Sequence, residues 1–146
     1  MATKGQMTGM QGVFLVAAEL TKRGFVVSPT SRSSFGADLL VADQECKRAW
    51  SVQVKTNSGR PTFWLLNKHS SKTKSDSHVY VLVNLRQKNQ KQLRMGPELY
   101  VVPSHVVARR MRTTPRSRSS IFYSIWSHDL AKYKDNWGVF GTAAAR

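Results

Sequence analysis

The sequence predicts an α/β domain with a central mixed sheet of four to five strands flanked by helices. Four stretches lead there. A helical apolar stretch precedes the first strand-like run. Two strand-like runs, Ala37 to Ala42 and Trp50 to Val54, flank a charged turn. His78 to Leu85 (HVYVLVNL) is apolar almost throughout, as in a strand covered on both faces. At 146 residues the chain fits one domain, 1–146. Its core is expected over about 8–102, with a C-terminal extension over 103–140 and a tail over 141–146. A hydrophobic content of 40% with 10% aromatics is that of a folded protein.

The first helix is expected from a capping box at Thr8 to Gln11, in which the Thr8 hydroxyl takes an orphan N–H and Gln11 reaches back. It should end near Arg23, where Lys22 and Arg23 suit the negative dipole end and Gly24 can turn left-handed. Phe14, Ala17, Ala18 and Thr21 share one side of it; Leu15, Glu19 and Lys22 share another. Phe25 to Ser28 reads as a strand and Ser31 to Phe35 as a polar turn. Ala37 to Ala42 is apolar on both faces apart from Asp38, as a central strand should be. Asp43 to Arg48 makes a hairpin turn. In the next strand the side chains alternate: Trp50, Val52 and Val54 face a core, and Ser51, Gln53, Lys55 and Asn57 face the other way. A Gly-Arg-Pro turn and an extended run, Thr62 to Leu66, follow.

Asn67 to Ser77 is polar and basic, a loop or a short helix. After the buried strand, a connector over Arg86 to Pro97 leads to a strand at Leu99 to Val102. A helix then starts at Pro103-Ser104, with Ser104 as N-cap, and reaches about Met111. Thr113 to Ser120 is a flexible basic loop by composition. Ile121 to Trp126 packs back on the core in an undecided conformation, and Ser127 caps a short helix through Tyr133. Trp64, Trp126 and Trp137 read as core residues.

Charge narrows the function. Lys plus Arg number 23 against 8 Asp plus Glu, for a net charge of +15. That excess points to a polyanion, nucleic acid before a membrane surface. The apolar run Val13 to Ala18 is too short to span a bilayer, and the N-terminus is poor as a signal peptide. The single Cys46 provides neither a disulfide nor a cysteine zinc site. A cytoplasmic protein is expected. His69, His78, His105 and His128 show no metal-ligand helical spacing and read as structural or surface residues. The phosphate-tracking surface is expected around Arg109, Arg110, Arg112, Arg116 and Arg118, with Lys72, Lys74, Lys88 and Lys91.

The stretch Gly36 to Asn57 (GADLLVADQECKRAWSVQVKTN) carries the chemistry. A carboxylate, Asp38, stands on one strand, with an amide and an ammonium, Gln53 and Lys55, on its hairpin neighbour. This resembles the core of the PD-(D/E)XK nuclease superfamily, which includes restriction enzymes, Holliday-junction resolvases and methylation-dependent restriction endonucleases. Asp38 matches the aspartate of the motif and Lys55 its lysine. Gln53 replaces the second acid, a variant of the methylation-dependent branch, and Gly36-Ala37 stand where the proline is missing. The resemblance covers about Thr8 to Val102.

It implies a restriction-endonuclease-like fold with an α-β-β-β-α-β core, and a metal-dependent endonuclease acting on duplex or branched DNA. Asp38, the Gln53 carbonyl and the Val54 backbone carbonyl would hold Mg²⁺ or Mn²⁺. Lys55 would orient the attacking water or stabilise the phosphate. Glu19 matches the accessory glutamate often found on the first helix, and would restore the charge that Gln53 removes. The superfamily often works as homodimers. Two alternatives remain: a nucleic-acid-binding protein on the same fold without catalysis, and a basic subunit whose partner is another protein.

Overall fold

The first helix, α1 (Lys4–Lys22), begins a turn earlier than expected. The computed structural model describes residues 1–31, 36–59 and 62–141. The box that caps α1 is Thr3 with Gln6, not Thr8 with Gln11: Gln6 N–H donates to Thr3 Oγ1 and Thr3 N–H to Gln6 Oε1. The Thr8 hydroxyl donates to the Lys4 carbonyl within the helix. Both boxes have the same spacing, and the earlier one adds a hydrogen-bonded turn. The buried stripe is Gly12, Val16 and Leu20, so Phe14 points outward and is 59% exposed. Gly12 is where α1 touches the sheet. A Cβ there would sit 1.8 Å from Thr56 Oγ1.

Strands β1 (Val26–Pro29), β2 (Leu39–Ala42), β3 (Ala49–Asn57), β5 (His78–Asn84) and β6 (Glu98–Pro103) form the main sheet in the order β1-β2-β3-β5-β6. Only β3 and β5 are parallel; the other pairs are antiparallel. The sheet is thus mixed and five-stranded, within the expected range. Six of the seven β5 residues are buried, because both faces of the sheet are covered. On one face α1 meets Leu39, Val41, Trp50, Val52, Val54, Val79, Val81 and Val83, with Phe25, Trp137 and Phe140 closing the end. On the other, Tyr80, Leu82, Tyr100 and Val102 meet a second sheet and a short helix.

That second sheet is absent from the sequence expectation. It consists of β4 (Phe63–Leu66), β8 (Ile121–Trp126) and β7 (Arg112–Pro115), all antiparallel in the order β4-β8-β7. Part of the stretch expected as a loop, Thr113 to Ser120, is therefore strand, and Ile121 to Trp126 is strand throughout. Trp64 and Ile125 project inward as core, while Trp126 is only half-buried on the outer side. The crossover from β3 to β5 runs through β4 and a 3₁₀ turn at Lys68–Ser71.

Two helices differ from expectation. A short helix, α2 (Gln90–Met95), interrupts the connector; Asn89 caps it and Gly96 ends it at φ 71°. Helix α3 (Ser104–Arg110) starts as expected but lacks a side-chain cap. Ser104 is fully buried, and its hydroxyl donates to the Ser75 carbonyl and accepts from Ser75 N–H. Ser127 likewise caps nothing, and Ser127–Tyr133 is 3₁₀. The expected turns at Ser31–Phe35 and Gly59–Pro61 and the tail fall largely on residues 32–35, 60–61 and 142–146, outside the described residues. No described helix is long and apolar enough to cross a membrane.

Candidate active site

Asp38 lies one residue before β2, not inside it. Its backbone N–H donates to the Val52 carbonyl at 2.8 Å, which continues the β2–β3 register from Leu39↔Val52 and sets Asp38 opposite Gln53. The carboxylate reaches one residue further: Val54 N–H donates to Asp38 Oδ2 at 2.7 Å. A charge-assisted bond of this length fixes the side chain against β3. Thr30 holds the other side, its N–H donating to the Asp38 carbonyl at 2.9 Å and its hydroxyl to the Ala37 carbonyl at 2.6 Å.

Gln53 and Lys55 project from the opposite face to Val54. Their partners in register, Tyr80 and Leu82, belong to the core beneath the second sheet. All three motif side chains are half-buried. Asp38 and Val54 border a cavity of about 430 Å³ against Gln6, Gly9, Met10 and Phe14 of α1. Gln53 borders another, of about 320 Å³. Asp38 and Val54 thus border the cavity on the α1 side, whereas Gln53 borders the cavity on the opposite face of β3; the Asp38 carboxylate reaches β3 at the Val54 N–H.

Glu19 is elsewhere. It forms an i,i+4 ion pair with Arg23, whose guanidinium stacks 4.4 Å over the Trp137 ring. The helix borders the Asp38 cavity with its N-terminal half, and Glu19 is not among the lining residues. Among the described residues, no three His, Cys, Asp or Glu side chains are grouped to hold a metal ion. The donors expected for a metal here would be one carboxylate with amide and backbone carbonyls. These are hard oxygens of the kind Mg²⁺ and Mn²⁺ take, with one negative charge between them.

Sequence reasoning missed the residues behind Gln53. His78, read as structural or surface, is 6% exposed and lines the Gln53 cavity with Ser51, Asn67, Ser70 and Tyr80. Its Nδ1 lies 2.6 Å from Ser51 Oγ, and its Nε2 is buried with no hydrogen-bond partner. The ring meets Tyr80 edge-on at 5.0 Å. Burial lowers the His78 pKa from its ordinary value. Burial raises that of the Tyr80 phenol, against a hydrogen bond with Ser70 that lowers it. The signal was in the alternation: Ser51, Gln53, His78 and Tyr80 share one face once β3 and β5 pair in parallel.

The basic residues fall into separate groups. Arg109 and Arg110 end α3, Arg112 opens β7, and Arg116 and Arg118 lie in the β7–β8 turn; all are exposed. Arg112 donates to Asp129 Oδ2 at 2.7 Å and lies 3.1 Å from His128 Nε2, so its charge is already paired. Lys72 and Lys74 follow the 3₁₀ turn, exposed. Exposed Lys91 lies on α2. Lys88 faces Lys4 across a cavity of about 800 Å³ between α1 and the ends of β3 and β5.

A five-stranded mixed sheet with α1 against one face and a second, three-stranded sheet against the other defines an α/β fold that is endonuclease-like. Among solved structures, the bacterial homing endonuclease I-Ssp6803I has this fold. It superposes with a TM-score of 0.57 at 15% sequence identity, covering 95% of this chain and 91% of that one. No protein-family model matches the chain, and no curated protein sequence matches it.

Proposed function

We propose that this protein is a metal-dependent DNA endonuclease of the PD-(D/E)XK kind, hydrolysing phosphodiester bonds of duplex or branched DNA. The observation that carries the reading is the Val54 N–H to Asp38 Oδ2 bond. It ties the single carboxylate to β3 at Val54, the residue between Gln53 and Lys55 in the strand. The fold shared with a bacterial homing endonuclease and the net charge of +15 support the same reading.

Asp38, the Gln53 amide carbonyl and the Val54 carbonyl would hold Mg²⁺ or Mn²⁺. When bound, such an ion polarises the scissile phosphate and lowers the pKa of a coordinated water. With one carboxylate in the donor set, the phosphate oxygens themselves supply much of the missing charge, so metal and DNA should bind cooperatively. Lys55 places a positive charge where the phosphorane develops negative charge. Asp38 is oriented by the Val54 N–H and by Thr30, which would preorganise the carboxylate for a metal ion. Two copies of the chain would present two such sites, one for each strand of a duplex.

A second reading is a DNA-binding protein on this fold without catalysis. The engagement of Glu19 by Arg23 favours it, because the charge lost at Gln53 is then not restored by α1. Incubating the protein with supercoiled plasmid while titrating Mg²⁺ and Mn²⁺ separates the two. Metal-dependent nicking that Asp38→Asn abolishes is expected. A gel shift with no nicking at any metal concentration establishes the inactive binder.

A further inference from the structure

We propose that the β7–β8 ribbon is a major-groove probe: it enters the major groove of duplex DNA, with Arg116 and Arg118 at its tip touching the nucleic acid. The inference rests on the DNA-binding part of the reading above and adds to it the element and the groove.

Four observations converge on the ribbon. Every residue from Arg112 to Ile121 is exposed, although β8 is anchored through Ile125 in the core and β7 through its pairing with β8. No Asp or Glu lies between Glu98 and Asp129, so the ribbon carries cations unopposed until Asp129 at its base. The turn has a defined shape, with Arg116 N–H and Ser117 N–H both donating to the Ser120 carbonyl, at 2.9 and 3.2 Å. The Ser117 and Ser120 hydroxyls also lie 3.0 Å apart. The tip is thus organised in advance of contact, which lowers the entropy lost on binding. Finally, the outer face alternates guanidinium and ring: Arg112 lies over Trp126 at 5.6 Å and Arg116 over Phe122 at 4.6 Å. Asp129 and His128 brace Arg112 at the base, whereas Arg116 and Arg118 are exposed with no acidic residue nearby in the chain to oppose them.

Shape selects the groove. β4 pairs with β8 only from Tyr123 to Trp126, so residues 114–115 and 121–122 with the turn between them form a two-stranded tip. Such a ribbon fits the roughly 12 Å width of the B-form major groove and exceeds the roughly 6 Å minor groove. The tip offers Arg, Ser and Thr, which pair with guanine O6 and N7 and with either partner of a base pair. The A-form major groove of duplex RNA is too narrow for it.

The test is fluorescence anisotropy of the whole chain with a labelled DNA duplex at low salt in EDTA, so that nothing is cut. Three probes are compared: the plain duplex, the same duplex with glucosylated hydroxymethylcytosine filling the major groove, and a duplex RNA of that sequence. Glucosylation should weaken binding at least about tenfold and the RNA should bind more weakly than the DNA, whereas distamycin in the minor groove should change affinity less than about twofold. The double variant Arg116→Ala/Arg118→Ala should lose about tenfold on plain DNA and respond little to glucosylation. That loss of response is something a merely structural role for the tip does not produce. Wild-type affinity indifferent to glucosylation, displacement by distamycin, or equal affinity for the RNA overturns the inference. Failure of the wild type to bind any duplex overturns the DNA reading with it. Tight major-groove binding without metal-dependent nicking removes the catalytic reading and leaves the ribbon's role standing.

Discussion

Asp38 anchors β3 and, in the proposed site, would hold the metal; two substitutions at that position separate the two roles. Its Oδ2 accepts the Val54 N–H at 2.7 Å, and Val54 is 8% exposed. Asp38→Ala strands that buried donor, a loss of about 2–3 kcal/mol for a charge-assisted bond left unmade. Asp38→Asn keeps an acceptor oxygen in nearly the same place. It exchanges the charged bond for a neutral one, costing about 1 kcal/mol. The alanine variant should therefore be less stable than the asparagine variant by about 1–2 kcal/mol, a visible share of a typical domain's about 5–15 kcal/mol. Urea unfolding monitored by tryptophan fluorescence reads the difference. Plasmid nicking across a Mg²⁺ titration reads the other duty, and there both variants should be inactive, because neither carries the carboxylate. Equal stability of the two variants refutes the anchoring bond. Metal-dependent nicking by Asp38→Asn refutes the carboxylate's place at the metal.

Gln53→Glu should tighten Mn²⁺ binding in the absence of DNA, measured by calorimetry, since it adds a second negative charge at the site; weaker DNA binding with unchanged metal affinity would point instead to a metal-free phosphate clamp. DNA affinity should fall with salt at a slope of about −4 to −5 in log–log form, and Arg109→Ala/Arg110→Ala should reduce it by about 2; a flat salt dependence removes the phosphate contacts. Gly12→Ala and Gly9→Ala should have opposite signs in thermal melts. At Gly9 a methyl meets nothing within 4 Å and gains up to about 1 kcal/mol of helix propensity. At Gly12 it meets Thr56 Oγ1 at 1.8 Å, an overpacking of about 3 kcal/mol that leaves a net loss near 2. His78 takes a proton less readily folded than unfolded, so stability should decline as pH falls below 6.5 and level off above it. His78→Gln should flatten that decline in urea midpoints measured from about pH 7.5 to about pH 5.5; an equal decline in both proteins sinks the idea.

Local chemistry made much of this molecule legible in its sequence. The alternation Trp50-Val52-Val54 placed β3 and its two faces, and those three residues are 8%, 0% and 8% exposed. An unbroken apolar run marked β5 because a strand covered on both faces cannot afford polar positions. Asp38, Gln53 and Lys55 could be selected from residue type and spacing on either side of a hairpin. Two misread features were also written locally. Asn89 before Gln90–Met95 with Gly96 after it is a helix signal, and Glu19 with Arg23 is an i,i+4 pair.

Other features were decided only by tertiary contact. The second sheet joins β4 to strands about sixty residues later in the chain, and no periodicity within either stretch announces a partner that far away. The Thr3 and Thr8 boxes have one spacing, and choosing between them depends on how many turns the helix completes. The stripe that packs was set by the approach of Gly12 to Thr56, which turned Phe14 outward. His78 became a buried imidazole beside Gln53 only when β3 and β5 paired in parallel. Side-chain type and period belong to the sequence because they depend on neighbours a few residues apart. Pairing, burial and the reach of the Asp38 carboxylate to the Val54 N–H belong to the fold, because they depend on which distant backbone arrives alongside.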